Sequence, residues 1–165
     1  MAYTQEKYIK FAFYCKFAKK TLPLHAKLIY SYKNMAKTEI STLGEFGLIK
    51  HLTKDIKFMQ PSTQKGIGDD AAVMRYGEKR TLVTTDLLLE GIHFNLEYAP
   101  LKHLGYKAAV VNFSDIYAMN GTPTQITVSL GISKRFSVED LEELYAGIRL
   151  ACERYNVDLV GGDTS

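Results

Sequence analysis

Lys65-Gly-Ile-Gly-Asp-Asp-Ala-Ala-Val73 is the stretch around which the rest of the chain is read. Two glycines hinge a turn that delivers adjacent carboxylates to the mouth of an apolar run. Gly66 and Gly68 let the backbone take positive φ or approach a ligand closely, and Ala71 and Ala72 leave no bulk beside the acids. That suits a compact, highly charged partner. Taken alone, the stretch is equally an acidic surface turn, because Gly and Asp are ordinary turn residues and short motifs often match by chance. Three further stations, Thr84-Thr-Asp86, Asn112-Phe-Ser-Asp115 and Gly161-Gly-Asp163, lie at the edges of apolar segments. Four carboxylate stations in one small chain are more than solvation requires.

Downstream of the turn, Ala71-Ala-Val-Met-Arg-Tyr76, Gly77-Glu-Lys-Arg80 and Thr81-Leu-Val-Thr-Thr-Asp86 read as strand, turn and strand. Such a hairpin brings the Asp69-Asp70 end towards Thr84, Thr85 and Asp86. Upstream, beyond a polar loop through Pro61, Thr42-Leu-Gly-Glu45 is a capping-box pattern. It predicts a helix over 45–52 with Phe46, Ile49 and Leu48 or Leu52 on a core-facing side.

Further on, apolar spacing predicts a helix over 101–119, packed closely through Ala108, Ala109 and Ala118 and ended by Asn120-Gly121. Asp115 is expected deep in that helix, and a buried acid needs a partner that no residue close in sequence supplies. Residues 125–132 predict a strand. Ser137-Val-Glu-Asp140 caps a helix to about Tyr155, with Leu141, Leu144, Ile148 and Ala151 on one face. Val157-Asp-Leu-Val160 then predicts a short strand that empties into Gly161-Gly-Asp-Thr-Ser165. The order is helix, hairpin, helix, strand, helix, strand.

At 165 residues and 46% hydrophobic content the chain can bury one sizeable core. No window offers the roughly 18 uninterrupted apolar residues of a membrane span. Two cysteines, Cys15 and Cys152, without a convincing export signal indicate a reducing compartment, so a cytoplasmic protein is expected. The net charge of +3 conceals an uneven distribution: residues 1–34 carry seven lysines and one acid, whereas 35–165 carry 14 basic and 17 acidic residues. A nucleic-acid binder should show its basic face within the fold, so nucleic acid is not an expected partner. The lysine- and aromatic-rich leader over 1–34 has the outline of a signal peptide, but Lys16 interrupts its apolar part and no clean cleavage site follows. An RNA-binding arm or a membrane-surface helix would also suit its composition. It is expected to stand outside a functional domain over 35–165, because Met35-Ala-Lys-Thr resembles an internal start.

Magnesium takes oxygen ligands, typically a few carboxylates completed by substrate phosphates. Asp70, Asp86, Asp115 and Asp163, with the hydroxyls or carbonyls of Thr84 and Thr85, match that supply. Zinc does not fit, because paired Cys or His ligand spacing is absent, and there is no EF-hand loop or nucleophile elbow. Aspartate-held metal points to phosphoryl transfer. A Walker loop and a kinase-type Gly-x-Gly-x-x-Gly are both absent, so the design would have to be a different one.

Gly44-Glu-Phe-Gly-Leu-Ile49, Gly66-Ile-Gly-Asp-Asp-Ala-Ala72, Thr84-Thr-Asp-Leu-Leu-Leu-Glu-Gly-Ile-His-Phe94, Lys107-Ala-Ala-Val-Val-Asn-Phe-Ser-Asp-Ile-Tyr-Ala-Met-Asn-Gly121 and Gly161-Gly-Asp-Thr164 together resemble thiamine-monophosphate kinase. That family belongs with aminoimidazole ribonucleotide synthetase and selenophosphate synthetase. The resemblance runs from Thr38 to Ser165 with the motifs in order. It implies the amino-terminal α/β (α+β) domain of that fold, a mixed β-sheet packed by helices and extended across a homodimer. It further implies magnesium ligation by Asp70, Thr84, Thr85, Asp86, Asp115 and Asp163. ATP would contact Tyr145, Gly162 and Asp163, and thiamine monophosphate would contact His93. No side chain is assigned as a general acid or base, since positioning and metal do the work, and Asp69 is expected to hold the turn. The leader has no counterpart in the family pattern. The family continues past Gly161-Gly-Asp-Thr-Ser165 into a second domain, so the chain alone is expected to turn over negligibly. Against selenophosphate synthetase, no reactive Cys or Lys precedes the glycine-aspartate turn in a glycine-rich loop, and Gly44-Glu-Phe with Gly91-Ile-His-Phe favours the thiamine branch. The alternatives are another enzyme of that superfamily, such as aminoimidazole ribonucleotide synthetase or selenophosphate synthetase, and a non-catalytic dimerisation or ligand-binding module.

Overall fold

The computed structural model describes residues 39–133 and 135–165; the leader and the Met35 start lie outside them. The chain divides into two compact units, whose described parts are 39–57 and Phe58–Ser165.

In the first unit a 3-10 turn over Ile40–Thr42 leads into helix α1, Gly44–Thr53. The expected capping box does not form. The Thr42 hydroxyl is spent on the 3-10 turn, donating to the Glu39 carbonyl at 2.6 Å, and the N-cap position falls on Leu43, which has no side-chain acceptor. The apolar face expected to meet a core is instead open to solvent, with Phe46 85% and Leu52 67% exposed.

In the second unit the predicted hairpin forms from β2, Ala72–Tyr76, and β3, Lys79–Val83, paired antiparallel from Ala72↔Val83 to Tyr76↔Lys79. Gly77 opens the two-residue turn with φ +63°, the positive value that matches a tight turn to strand twist. A third strand, β1 (Thr63–Lys65), adds antiparallel to β2 where the sequence indicated only a loop. Its polar residues carry no strand periodicity, and pairing with β2 rather than intrinsic preference makes it extended.

Helix α2, Leu101–Ala118, ends with Asn120 in the left-handed region at φ +56°, while the Gly121 amide donates to the Ile116 carbonyl at 2.8 Å. This is the Schellman arrangement, with Asn rather than Gly taking the left-handed position. Strand β4, Gln125–Leu130, helix α3, Val138–Tyr155, and strand β5, Asp158–Thr164, then make a parallel β-α-β unit. The expected capping box of α3 is present: the Asp140 amide donates to Ser137 Oγ at 3.2 Å and the Ser137 amide to Asp140 Oδ2 at 2.8 Å. Ser137→Ala should therefore lower stability by about 1 kcal/mol, read as a shift in urea midpoint at unchanged slope; no shift would mean that water caps the helix equally well.

The fold class is the mixed α/β one expected, with its strands divided into a three-stranded antiparallel sheet and a two-stranded parallel one. Helix α2 ties them together. Its Ala109 and Phe113 enter the core made with Ile126, Ile148, Ala151, Cys152 and Val157, and its Ile116 enters a second cluster with Ala71 and Leu82 of the hairpin unit. The tight contact between α2 and α3 is made by glycines more than by the alanines expected. A Cβ at Gly105 would sit 1.9 Å from the Leu144 carbonyl oxygen, and one at Gly147 would sit 1.8 Å from that of Lys102. Ala109 is buried there, whereas Ala118 is exposed. Burial pushes the Cys152 thiol above its ordinary range, with Asp158 and Glu153 adding to the shift, so it behaves as a core residue and not a nucleophile.

Candidate functional site

The register Ala72↔Val83 sets the end of the glycine-aspartate turn beside the residues that follow β3. Beyond Val83 the chain leaves the sheet, and α2 takes hold of it. Thr84 Oγ1 donates to Asp115 Oδ2 at 2.7 Å, and the Asp86 amide donates to Asn112 Oδ1 at 2.9 Å. Thr85 and Asp86 are exposed. Asp115, expected deep in the helix, is half-buried at its flank and is partnered by a hydroxyl rather than a cation. The buried polar residue of α2 is Asn112, 7% exposed, which also donates from Nδ2 to the Ala108 carbonyl at 2.7 Å. The reason is helical phase: Ala109, Phe113 and Ile116 define the inward side. Asn112 borders it and Asp115 falls at its edge. Asn112 has no role among the residues expected from the sequence to serve the site, although its spacing of three from Asp115 puts both on one side of the helix.

The turn itself is held by Asp69. One carboxylate oxygen accepts the Asp70 amide at 3.1 Å and the other pairs with Lys65. Gly68 at φ +112° takes a conformation that side chains disfavour. Asp70 is left exposed at the tip.

His93 lies in a tight loop closed by Gly91 at φ +79°, whose amide donates to the Phe94 carbonyl at 2.8 Å. Its Nδ1 accepts the Leu89 amide at 2.9 Å, so in the neutral ring the proton sits on Nε2. Lys107 of α2 donates to the His93 carbonyl at 2.6 Å, and Glu90 pairs with Arg135.

A second locus lies along β5. Gly161, Gly162, Asp163 and Thr164 line an open cavity of about 470 Å³ with Val128, Tyr145 and Leu159. Tyr145 is thus brought beside Gly162 and Asp163. Strand β5 runs straight through these glycines, where the sequence indicated that a strand would stop at Val160. Gly162 explains the continuation: its α-carbon approaches Val128 so closely that a Cβ would lie 1.7 Å from the Val128 carbonyl oxygen. Glycine discourages a strand reading, yet close backbone approach is one reason for a glycine inside a strand.

Among the described residues no group of three His, Cys, Asp or Glu side chains is gathered to hold a metal ion. Asp70, Asp86, Asp115 and Asp163 therefore do not form one ready cage. The donors are all oxygens, and exposed ones at positions 70, 85, 86 and 163. That set fits magnesium, which binds through one or two carboxylates and leaves its other positions to water and phosphate oxygens.

The profile of AIR synthase related protein, N-terminal domain, matches residues 68–165. Thiamine-monophosphate kinase of Aquifex aeolicus (strain VF5) is 40% identical over 126 residues, covering 76% of this chain and 39% of the relative. That of Bacillus subtilis (strain 168) is 37% identical over 124 residues, covering 74% of this chain and 38% of the relative. The solved structure of AaThiL complexed with AMPPCP and TMP superposes with a TM-score of 0.69 at 38% identity, covering 79% of this chain and 40% of that one. The chain thus spans about two fifths of the length of these relatives.

Proposed function

Because this chain belongs to the family of AIR synthase related proteins, in the part formed by their N-terminal domain, we propose that it is the metal- and nucleotide-binding part of a thiamine-monophosphate kinase. The activity is transfer of the γ-phosphoryl group of ATP to thiamine monophosphate, giving ADP and thiamine diphosphate. Support comes from relatives of that name and from a structural neighbour complexed with AMPPCP, whose triphosphate mimics that of ATP. The observation that carries it is the grip of α2 on residues 84 and 86, which holds a row of exposed oxygens beside the glycine-aspartate turn.

Asp70, Thr84, Thr85, Asp86, Asp115 and Asp163 would hold magnesium, Tyr145, Gly162 and Asp163 would meet ATP, and His93 would meet thiamine monophosphate. Bound magnesium supplies charge neutralisation between two polyanions. An oxygen of the acceptor phosphate forms a bond to the γ-phosphorus as the bond to the bridging oxygen of ADP breaks. That acceptor is already an anion near neutral pH, so no side chain has to remove a proton. The chain's own part is alignment: His93 Nε2–H can donate to a phosphate oxygen while its Nδ1 is fixed by the Leu89 amide.

The protein is proposed to be cytoplasmic and homodimeric. No described helix is long and apolar enough to cross a membrane. Among the described residues β3 is an edge of its sheet, and a second copy is a natural partner for such an edge. Turnover by this polypeptide alone should be negligible. All of β5 is exposed, so phosphates bound there would face water, which weakens the attraction they feel.

The test is an NMR titration of the chain with magnesium and AMPPCP, then with thiamine monophosphate or an aminoimidazole ribonucleotide precursor. Amide shifts at positions 161–164 on adding nucleotide, and at 89–94 on adding thiamine monophosphate only, are expected. A response to the ribonucleotide precursor instead would assign a sibling enzyme, and no response to any of them would leave a non-catalytic module.

A further inference from the structure

Residues 84–86 follow the end of β3 and have no regular ladder to hold them. Two side chains of α2, one turn apart, replace that ladder. Asp115 takes the Thr84 hydroxyl, and Asn112 takes the Asp86 amide while anchoring itself to the Ala108 carbonyl. Asn112 is the buried polar side chain among the described residues, and both ends of its amide are used. A hydrocarbon there would orphan the Asp86 N–H, and a second acid would place a buried charge one turn from Asp115. An amide alone supplies an acceptor for the strand exit and a donor for the helix without charge.

We propose that Asn112 is a positioning residue for the cation–nucleotide site. By holding the Asp86 amide it fixes the backbone from which the exposed Asp86 carboxylate and the Thr85 oxygens project. This role rests on the function proposed above. Asn112 would not touch the cation; it keeps the backbone from searching other conformations, a cost that would otherwise be charged to binding.

Two substitutions separate its two bonds. In Asn112→Ser the short hydroxyl can bond back to the carbonyl four residues earlier in the helix, but it no longer spans to the Asp86 amide. In Asn112→Asp an oxygen still accepts that amide, while the donor to Ala108 is lost. Ile148→Val, in the other core cluster, serves as a control that lowers stability without touching residues 84–86.

The full 165-residue chain and these variants would be followed by NMR for amide exchange at Asp86 and for titration with magnesium and AMPPCP. Asn112→Ser should speed exchange at Asp86 and weaken magnesium-dependent AMPPCP binding about tenfold or more, the range typical of residues that orient metal ligands. Asn112→Asp, which keeps the acceptor but buries a charge one turn from Asp115, should lower stability while keeping exchange at Asp86 slower than in Asn112→Ser. Ile148→Val should keep slow exchange at Asp86 and most of the affinity. Equal losses in Asn112→Ser and Ile148→Val, or intact affinity in Asn112→Ser, would overturn this role alone. Absence of magnesium-dependent AMPPCP binding by the unaltered chain would overturn the proposed function, and this role with it.

Discussion

Asp86→Asn and Asp115→Asn are each expected to leave the fold standing and to weaken magnesium-dependent nucleotide binding by more than about tenfold, because outer partners of metal ligands alone typically account for losses of about 10–100-fold. Both changes keep the shape of the side chain and remove one negative charge. At Asp86 the bond that matters to the fold is made by the backbone amide to Asn112, so the exposed carboxylate can be neutralised without disturbing it. At position 115 an Asn oxygen can still accept the Thr84 hydroxyl, which now finds the carboxylate at 2.7 Å. Exposed substitutions away from such contacts usually change stability by no more than about 0.5 kcal/mol. Thermal midpoints and the AMPPCP titration together decide the matter. A fall in midpoint with unchanged magnesium dependence would assign the acids to structure.

The largest effect on stability is expected at the crossing of α2 and α3. Gly147→Ala should destabilise the chain by about 3 kcal/mol or more, at the upper end of overpacking penalties. A helix interior ordinarily gains roughly 1 kcal/mol from exchanging Gly for Ala, so the sign itself is diagnostic. The new methyl group would fall 1.8 Å from the Lys102 carbonyl oxygen and 2.7 Å from the Tyr106 amide nitrogen, both main-chain atoms that cannot swing aside. Gly105→Ala meets the Leu144 carbonyl in the same way. Relief requires separating the helices, which opens the core of Ala109, Phe113, Ile148 and Ala151. Against a typical total of about 5–15 kcal/mol, such a loss shows plainly in urea denaturation. A neutral or stabilising Gly147→Ala would contradict the close approach of the two backbones.

Both predictions depend on contacts of different legibility. The hairpin, its glycine turn, the long helices and the Ser137 capping box are written in short stretches: strand-type residues around Gly77, apolar spacing over 101–119, and a serine three residues before an acid. These are decided by bonds among residues a few positions apart, so neighbouring sequence is enough. The Thr42 pattern has the same form as the Ser137 one and yet makes no cap, because a competing turn claims its hydroxyl. Local grammar there is compatible with two arrangements, and the short pattern does not choose between them.

The sequence by itself determined the order of the elements other than β1, the four acidic stations and the oxygen-only chemistry they offer. Tertiary structure alone decided which of those stations meet. Thr84 finds Asp115 across 31 residues and Asp86 finds Asn112 across 26, through bonds that depend on how α2 is rotated against the hairpin. That rotation is set by Ile116 entering the cluster of Ala71 and Leu82 while Ala109 and Phe113 enter the other core. Apolar burial is non-directional and carries no signature of its partner in the sequence. For the same reason β1 and the passage of β5 through Gly161 and Gly162 became visible only with their neighbours in place: each is extended because another strand lies beside it, and that strand is chosen by packing rather than by the residues that follow it in the chain.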